Sequence, residues 1–145
     1  MHRRGILGAV VSLGTMLAAT RSTSAESADK RKVVYHLTDL DKVAFVLGNI
    51  RNHFDGAGGP ERVTIALVVH GPALKAFHAA SGSPDVAEHV AEIIKAGGEL
   101  GACGHTMKAQ KVGVKDLLPG FVAIEEGGVV RLAELQSKGY AYLRP

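Results

Sequence analysis

The sequence predicts an α/β fold: an open, mainly parallel five-stranded sheet with helices on both faces. Three observations carry this. Short β-branched runs alternate with segments of helical period along the chain. The connections between them are short, as βαβ crossovers require. One run, Arg62 to Val69, is almost continuously apolar, the mark of a strand buried on both sides of a parallel sheet. This pattern places the chain in the flavodoxin-like class of doubly wound sheets.

Val33 to Leu37 reads as the first strand. Thr38 or Asp39 then caps a helix whose apolar positions Val43, Val46, Leu47, Ile50 and Phe54 repeat at helical spacing, and Gly56 to Gly59 ends it. After the second strand, His70-Gly71-Pro72 breaks the chain and Ala73 to Ala80 forms a short helix. Ser83-Pro84-Asp85 is a strong helix start, with Ser as N-cap, Pro in the first turn and Asp facing the dipole. Val86, Val90, Ile93 and Ile94 should line its inner face, and Gly97-Gly98 should stop it. Glu99 to Ala102 makes a short third strand with Cys103 at its end, and Gly104 to Gln110 begins a helix. An irregular stretch from Val112 to Gly120 precedes the fourth strand, Phe121 to Ile124. Gly127-Gly128 introduces a last helix with Val129, Leu132, Ala133 and Leu135 on its apolar side; Gly139 caps it, and Tyr140 to Leu143 closes the sheet.

Residues 1–25 stand apart from this domain. Arg3 and Arg4, then an apolar stretch from Ile6 to Ala19, then Thr23-Ser24-Ala25 have the order of a cleavable export signal, with cleavage after Ala25. Arg3-Arg4-Gly5-Ile6-Leu7 resembles a twin-arginine signal, and the general secretory route fits as well. The apolar stretch is shorter than the roughly 20 residues a bilayer-spanning helix needs, so no stable membrane anchor is expected. The expected location is the periplasm or the medium. Residues 26–32 are polar and charged, a flexible lead-in to a domain over 33–145.

Charge bookkeeping depends on that division. Three of the 17 basic residues (Arg3, Arg4, Arg21) lie in the signal and none of the 14 acidic ones does, so the remainder is formally neutral. The pI near 9.1 belongs to the precursor. No basic patch remains to bind nucleic acid. No G-x-G-x-x-G or G-K-[ST] loop cradles a phosphate, no Ser-His-Asp arrangement is recognisable, and no cofactor is implied.

In doubly wound sheets ligands bind beyond the carboxyl ends of the strands, here the loops His36 to Asp39, His70 to Pro72 and Cys103 to Thr106. Cys103 is the only cysteine, so no intramolecular disulfide forms and stability must come from packing. Between a strand and a helix start, its sulfur meets unpaired N–H groups and a dipole that favour thiolate. Its alternative role is a buried core thiol. His70 and His105 are the candidates to assist it, by sharing a proton or by lowering the thiol pKa as imidazolium; the plain alternative is a hydrogen-bonded strand-end histidine. His53, His78 and His89 read as surface residues. Cys103, His105 and His70 also have the chemistry of soft metal ligands, but the spacing matches no metal motif.

Four segments carry a family likeness: Val68-Val69-His70-Gly71-Pro72, Ala102-Cys103-Gly104-His105-Thr106-Met107-Lys108, Asp116-Leu117-Leu118-Pro119-Gly120, and Gly139-Tyr140-Ala141-Tyr142-Leu143-Arg144-Pro145. In this order they resemble the DsrE/DsrF-like family, whose relatives include subunits of sulfur relays in tRNA thiolation and sulfur oxidation. The resemblance implies a flavodoxin-like domain, assembly into homotrimers or hexamers, and a persulfide carried on the cysteine equivalent to Cys103. The relay subunits are cytoplasmic, so export separates this chain from tRNA thiolation and leaves its sulfur donor and acceptor open. The expectation is a sulfur-handling protein with Cys103, His70 and His105 at its site. The alternative is a non-catalytic oligomeric module that binds a small ligand or a protein.

Overall fold

A computed structural model describes residues 29–145; the export-signal reading of residues 1–25 lies outside them. The described chain is one five-stranded sheet, parallel throughout, with β1 at Arg31–Leu37, β2 at Val63–Val69, β3 at Glu99–Cys103, β4 at Phe121–Ile124 and β5 at Ala141–Leu143. β1 begins two residues before Val33 because exposed Arg31 and Lys32 pair with Val63 and Thr64. The helices are α1 (Val43–Ala57), α2 (Pro84–Lys95), α3 (Gly104–Gln110) and α4 (Gly128–Ser137).

The strand order is 4-3-2-1-5. The chain lays β1 to β4 side by side in one direction, then returns to add β5 beyond β1. Because parallel crossovers are right-handed, reversing the direction of travel sends the returning helix to the opposite face. Accordingly α1 and α2 cover one face and α4 the other. Flavodoxin itself has the order 2-1-3-4-5; here the reversal falls between β1 and β5.

Alternation along the strands divides the core. Val33, Tyr35, Leu37, Ile65, Leu67, Val69, Leu100 and Phe121 face α1 and α2, while Val34, Ala66, Val68 and Ile124 face Leu132 and Leu135 of α4. All five apolar positions anticipated in α1 are buried. Each large side chain removed from water, such as Ile50, Ile65 or Phe77, contributes about 1.5–3 kcal/mol, which is how a chain without a disulfide holds together.

Several local expectations change. The residues after Asp39 first make a 3-10 turn, Leu40–Lys42, and neither Thr38 nor Asp39 caps α1. The helix after β2 is a 3-10 segment, Gly71–Phe77, running directly from His70. Ile94 is exposed beside buried Ile93, and Val129 and Ala133 of α4 face outward. Among the described residues α4 has the second face of the sheet to itself, and Leu132 and Leu135 are the side chains it buries there.

Candidate functional site

Register brings the chemistry to one edge and one face. His36 is one residue from the end of β1, Cys103 ends β3, and His70 directly follows β2. By strand alternation His36, Cys103 and Tyr142 share the α4 face with Val34, Val68 and Ile124. Across strands 3, 2, 1 and 5 the edge therefore presents Cys103, His70, His36 and Tyr142 in turn.

Cys103 is the extended N-cap residue of α3, with φ −60° and ψ 119° and no aligned side-chain cap bond. Two glycines crowd its surroundings. A Cβ on Gly104 would stand 2.9 Å from the Ile124 carbonyl oxygen, so only glycine lets α3 press against the exit of β4. That approach carries the next turn onto the sulfur: a Cβ on Gly128 would lie 3.5 Å from the Cβ atoms of both Cys103 and His70. Burial pushes the thiol pKa up. The N–H groups of Thr106 and Gly128, the Thr106 hydroxyl and the His105 N–H pull it down by more, so the net value lies below that of an ordinary thiol. The sulfur thus faces the first turns of two helices, α3 and α4. The residue is 6% exposed, more enclosed than an open nucleophile at the sheet edge.

His70 is half-buried, and its Nε2 meets Nε2 of His36; the rings stack with centroids 4.7 Å apart and an interplanar angle of 10°. Nδ1 of His36 pairs with the Tyr142 hydroxyl at 2.6 Å. Burial, reinforced by His70 and Arg144 against a smaller pull from Asp39, lowers the His36 pKa to about 4. Burial and then Arg144 lower that of His70. Both imidazoles are thereby biased towards the neutral form. Arg144 reaches Thr38 Oγ1 at 3.0 Å and Asp39 at 3.7 Å, tying the end of β5 over the β1 loop.

His105 is exposed, with its ring against Gly127, where a Cβ would lie 2.9 Å from Cδ2. Its main-chain N–H faces the sulfur. Among the described residues no three His, Cys, Asp or Glu side chains converge to hold a metal ion, so the metal reading of Cys103, His105 and His70 loses its geometry. His53 and His78 are not free surface groups: they pair with Tyr35 Oη at 2.9 Å and Gln110 Oε1 at 2.8 Å.

The model of the DsrE/DsrF-like family matches residues 24–145. The chain belongs to the DsrE/DsrF-like family. Solved structures agree with this DsrE-like assignment. It is similar to MTH1491 of Methanobacterium thermoautotrophicum, a protein of unknown function, at 26% identity and TM-score 0.70, over 80% of this chain and 100% of that one. BT1422 of Bacteroides thetaiotaomicron, a conserved protein of unknown function, shares the fold at 18% identity and TM-score 0.59, over 83% and 98% of the two chains. The ychN protein of E. coli shares it at 10% identity and TM-score 0.55, over 80% and 99%. No curated protein matches the chain significantly. The family is associated with sulfur relay in general.

Sequence reasoning missed three parts of the surroundings of Cys103 and His70. Thr106 carried a signal, since it stands three residues after the N-cap cysteine, where a side chain can turn back to the first turn. The Gly127-Gly128 turn follows β4 and so reaches the same edge as the other loops, yet it was read only as a helix start. The His36–Tyr142 pair depends on β5 lying beside β1, which strand periodicity does not disclose.

Proposed function

We propose that this DsrE-like protein carries sulfane sulfur as a persulfide on Cys103. What supports the reading is the setting of the sulfur at the starts of α3 and α4, where three main-chain N–H groups and the Thr106 hydroxyl outweigh burial and favour thiolate relative to an ordinary cysteine. In the loading step the Cys103 thiolate attacks the sulfane sulfur of a donor such as thiosulfate. A Cys103 S–S bond forms, the sulfur–sulfur bond of thiosulfate breaks, and sulfite leaves with that bond's electron pair. In the unloading step an acceptor thiol attacks the outer sulfur. Its proton stays with the transferred sulfur as an acceptor persulfide, and Cys103 departs as thiolate. His70, at the end of the neighbouring strand, is the candidate proton partner in this reading. The basic, apolar, then small-residue order of the first 25 residues supports placing this exchange outside the cytoplasm.

Mass spectrometry of protein exposed to thiosulfate or polysulfide tests this. One added sulfur atom is expected on the wild type and none on Cys103→Ser; a wild type that stays unmodified with both donors overturns the carrier. The 6% exposure of Cys103 favours a second reading, a binding module with a packed cysteine. That reading predicts a native thiol inert to iodoacetamide.

Self-association belongs to the same proposal. α4 leaves the β2–β4 part of its face open as a groove of about 570 Å³ floored by Ala66, Gly101, Val122 and Ile124. Val122 is 66% exposed in it, and Glu99, Arg131 and Glu134 rim it. A second copy of the chain would bury this surface, close to the Gly128 turn that borders Cys103.

A further inference from the structure

Strand β5 is the most lightly held part of the sheet. Its three residues are exposed, and it pairs only with β1, through Val33 with Ala141, Val34 with Tyr142 and Tyr35 with Leu143. Among the described residues its side-chain fastenings run to the end of β1 and the loop that follows. The Tyr142 hydroxyl pairs with His36 Nδ1 at 2.6 Å, and Arg144 reaches Thr38 Oγ1 at 3.0 Å and Asp39 at 3.7 Å. Tyr142 reaches His36 diagonally, because its neighbour across the strands is Val34, two residues earlier on the same face. With so short a strand, these fastenings decide how firmly residues 141–145 are held.

His36 is fixed from its other side by His70, whose Nε2 meets its own. A hydrogen bond between two imidazole nitrogens needs one N–H and one lone pair. The pair can therefore keep its contact with no added proton or with one. With two, both nitrogens carry hydrogen, neither accepts, and two cations lie stacked with centroids 4.7 Å apart. Among the described residues the charges that bear on the pair are Arg144, a third cation, and Asp39, a carboxylate already opposite Arg144. β3 contributes Cys103 on the His70 side, and the first turn of α4 contributes Gly128, Val129 and Val130, which carry no charge. We propose that the His36–His70 pair is an acid-released clasp on β5: a second proton on the pair turns the His36 ring off His70, breaks its bond to Tyr142 and frees residues 141–145 from β1, while β1 to β4 stay folded. The lowered pKa values of both histidines agree with a closed pair that resists protonation. Opening returns the rings to water, where they ionise near about 6.5. The open state then binds more protons than the closed one, and acid favours it about tenfold per pH unit for each extra proton. The clasp makes no use of the sulfur chemistry of Cys103.

The test is hydrogen exchange of the full chain, read by mass spectrometry from about pH 7 to about pH 4 and corrected for the intrinsic exchange rate at each pH. Amides of residues 141–143 should lose protection about tenfold per pH unit below about 6, while those of β2 stay protected. Tyr142→Phe keeps the ring but cuts the pair from the strand. Its β5 should exchange severalfold faster at neutral pH and respond more weakly to acid. His70→Gln replaces one ring by an amide that can donate or accept, so it suits His36 whether neutral or charged. Its β5 protection should persist to lower pH than in the wild type. Wild-type β5 protection that does not change with pH overturns the proposal. So does β2 protection that falls to the level of β5, because the whole sheet would then be opening. A slope in either variant as steep as the wild type overturns it as well, since burial of His36 alone would then account for the response.

Discussion

His36 is 9% exposed, with one ring nitrogen on Tyr142 and the other on His70, and this sets the sign of its contribution to the protein's response to acid. Its pKa falls to about 4 in the fold, against about 6.5 for a histidine in an unfolded chain. Between those values the unfolded state binds the proton first, so stability falls as pH drops from about 6.5 to about 4 and changes no further through this group below that. His70, lowered for the same reason, adds to the slope. Urea midpoints measured across this window should fall steadily with acid in the wild type and more shallowly in His36→Gln; equal slopes would remove His36 from the account. At this scale the sequence was partly legible. Cys103 and His70 could be found because strand ends in doubly wound sheets hold ligands. The partners that set their chemistry could not, since Gly128 and Tyr142 arrive from segments 25 and 39 residues beyond Cys103 in the numbering, and their approach is a matter of packing.

Helix α2 shows what local sequence specifies well. Ser83 is its N-cap and accepts from the Val86 N–H at 3.3 Å, Pro84 begins it, and Asp85 sits in the first turn. Ser83→Ala should lower unfolding free energy by about 1 kcal/mol by leaving that N–H without its partner, as urea denaturation would register. The signals that located α2 act within four residues, as do those that bounded α3 at Gly104 and Gln110. Burial of Ile94 and Val129 was misjudged for the opposite reason: helical period shows which residues share a stripe, not how wide a surface that stripe will meet. The inner stripe of α2 closes on Val90 and Ile93, and α4 meets the sheet through Leu132 and Leu135 alone.

The two faces of the whole molecule are unequal, and that inequality is the basis of the self-association proposal. Among the described residues α1 and α2 share one face while α4 works alone on the other, leaving Val122 and the groove beside it open. Val122→Lys places a charge in the middle of that surface and should shift the mass in solution from oligomer to single chain; a wild-type protein that already sedimentes as a single chain rules the interface out. The strand order has a different consequence. β5 is translated after the other four strands, yet it pairs with β1, the earliest, and brings the Tyr142 hydroxyl to His36. A nascent chain can therefore assemble β1 to β4 and the sulfur's surroundings while the histidine pair still lacks its hydroxyl, so the Tyr142 end of the row matures only once β5 has been made.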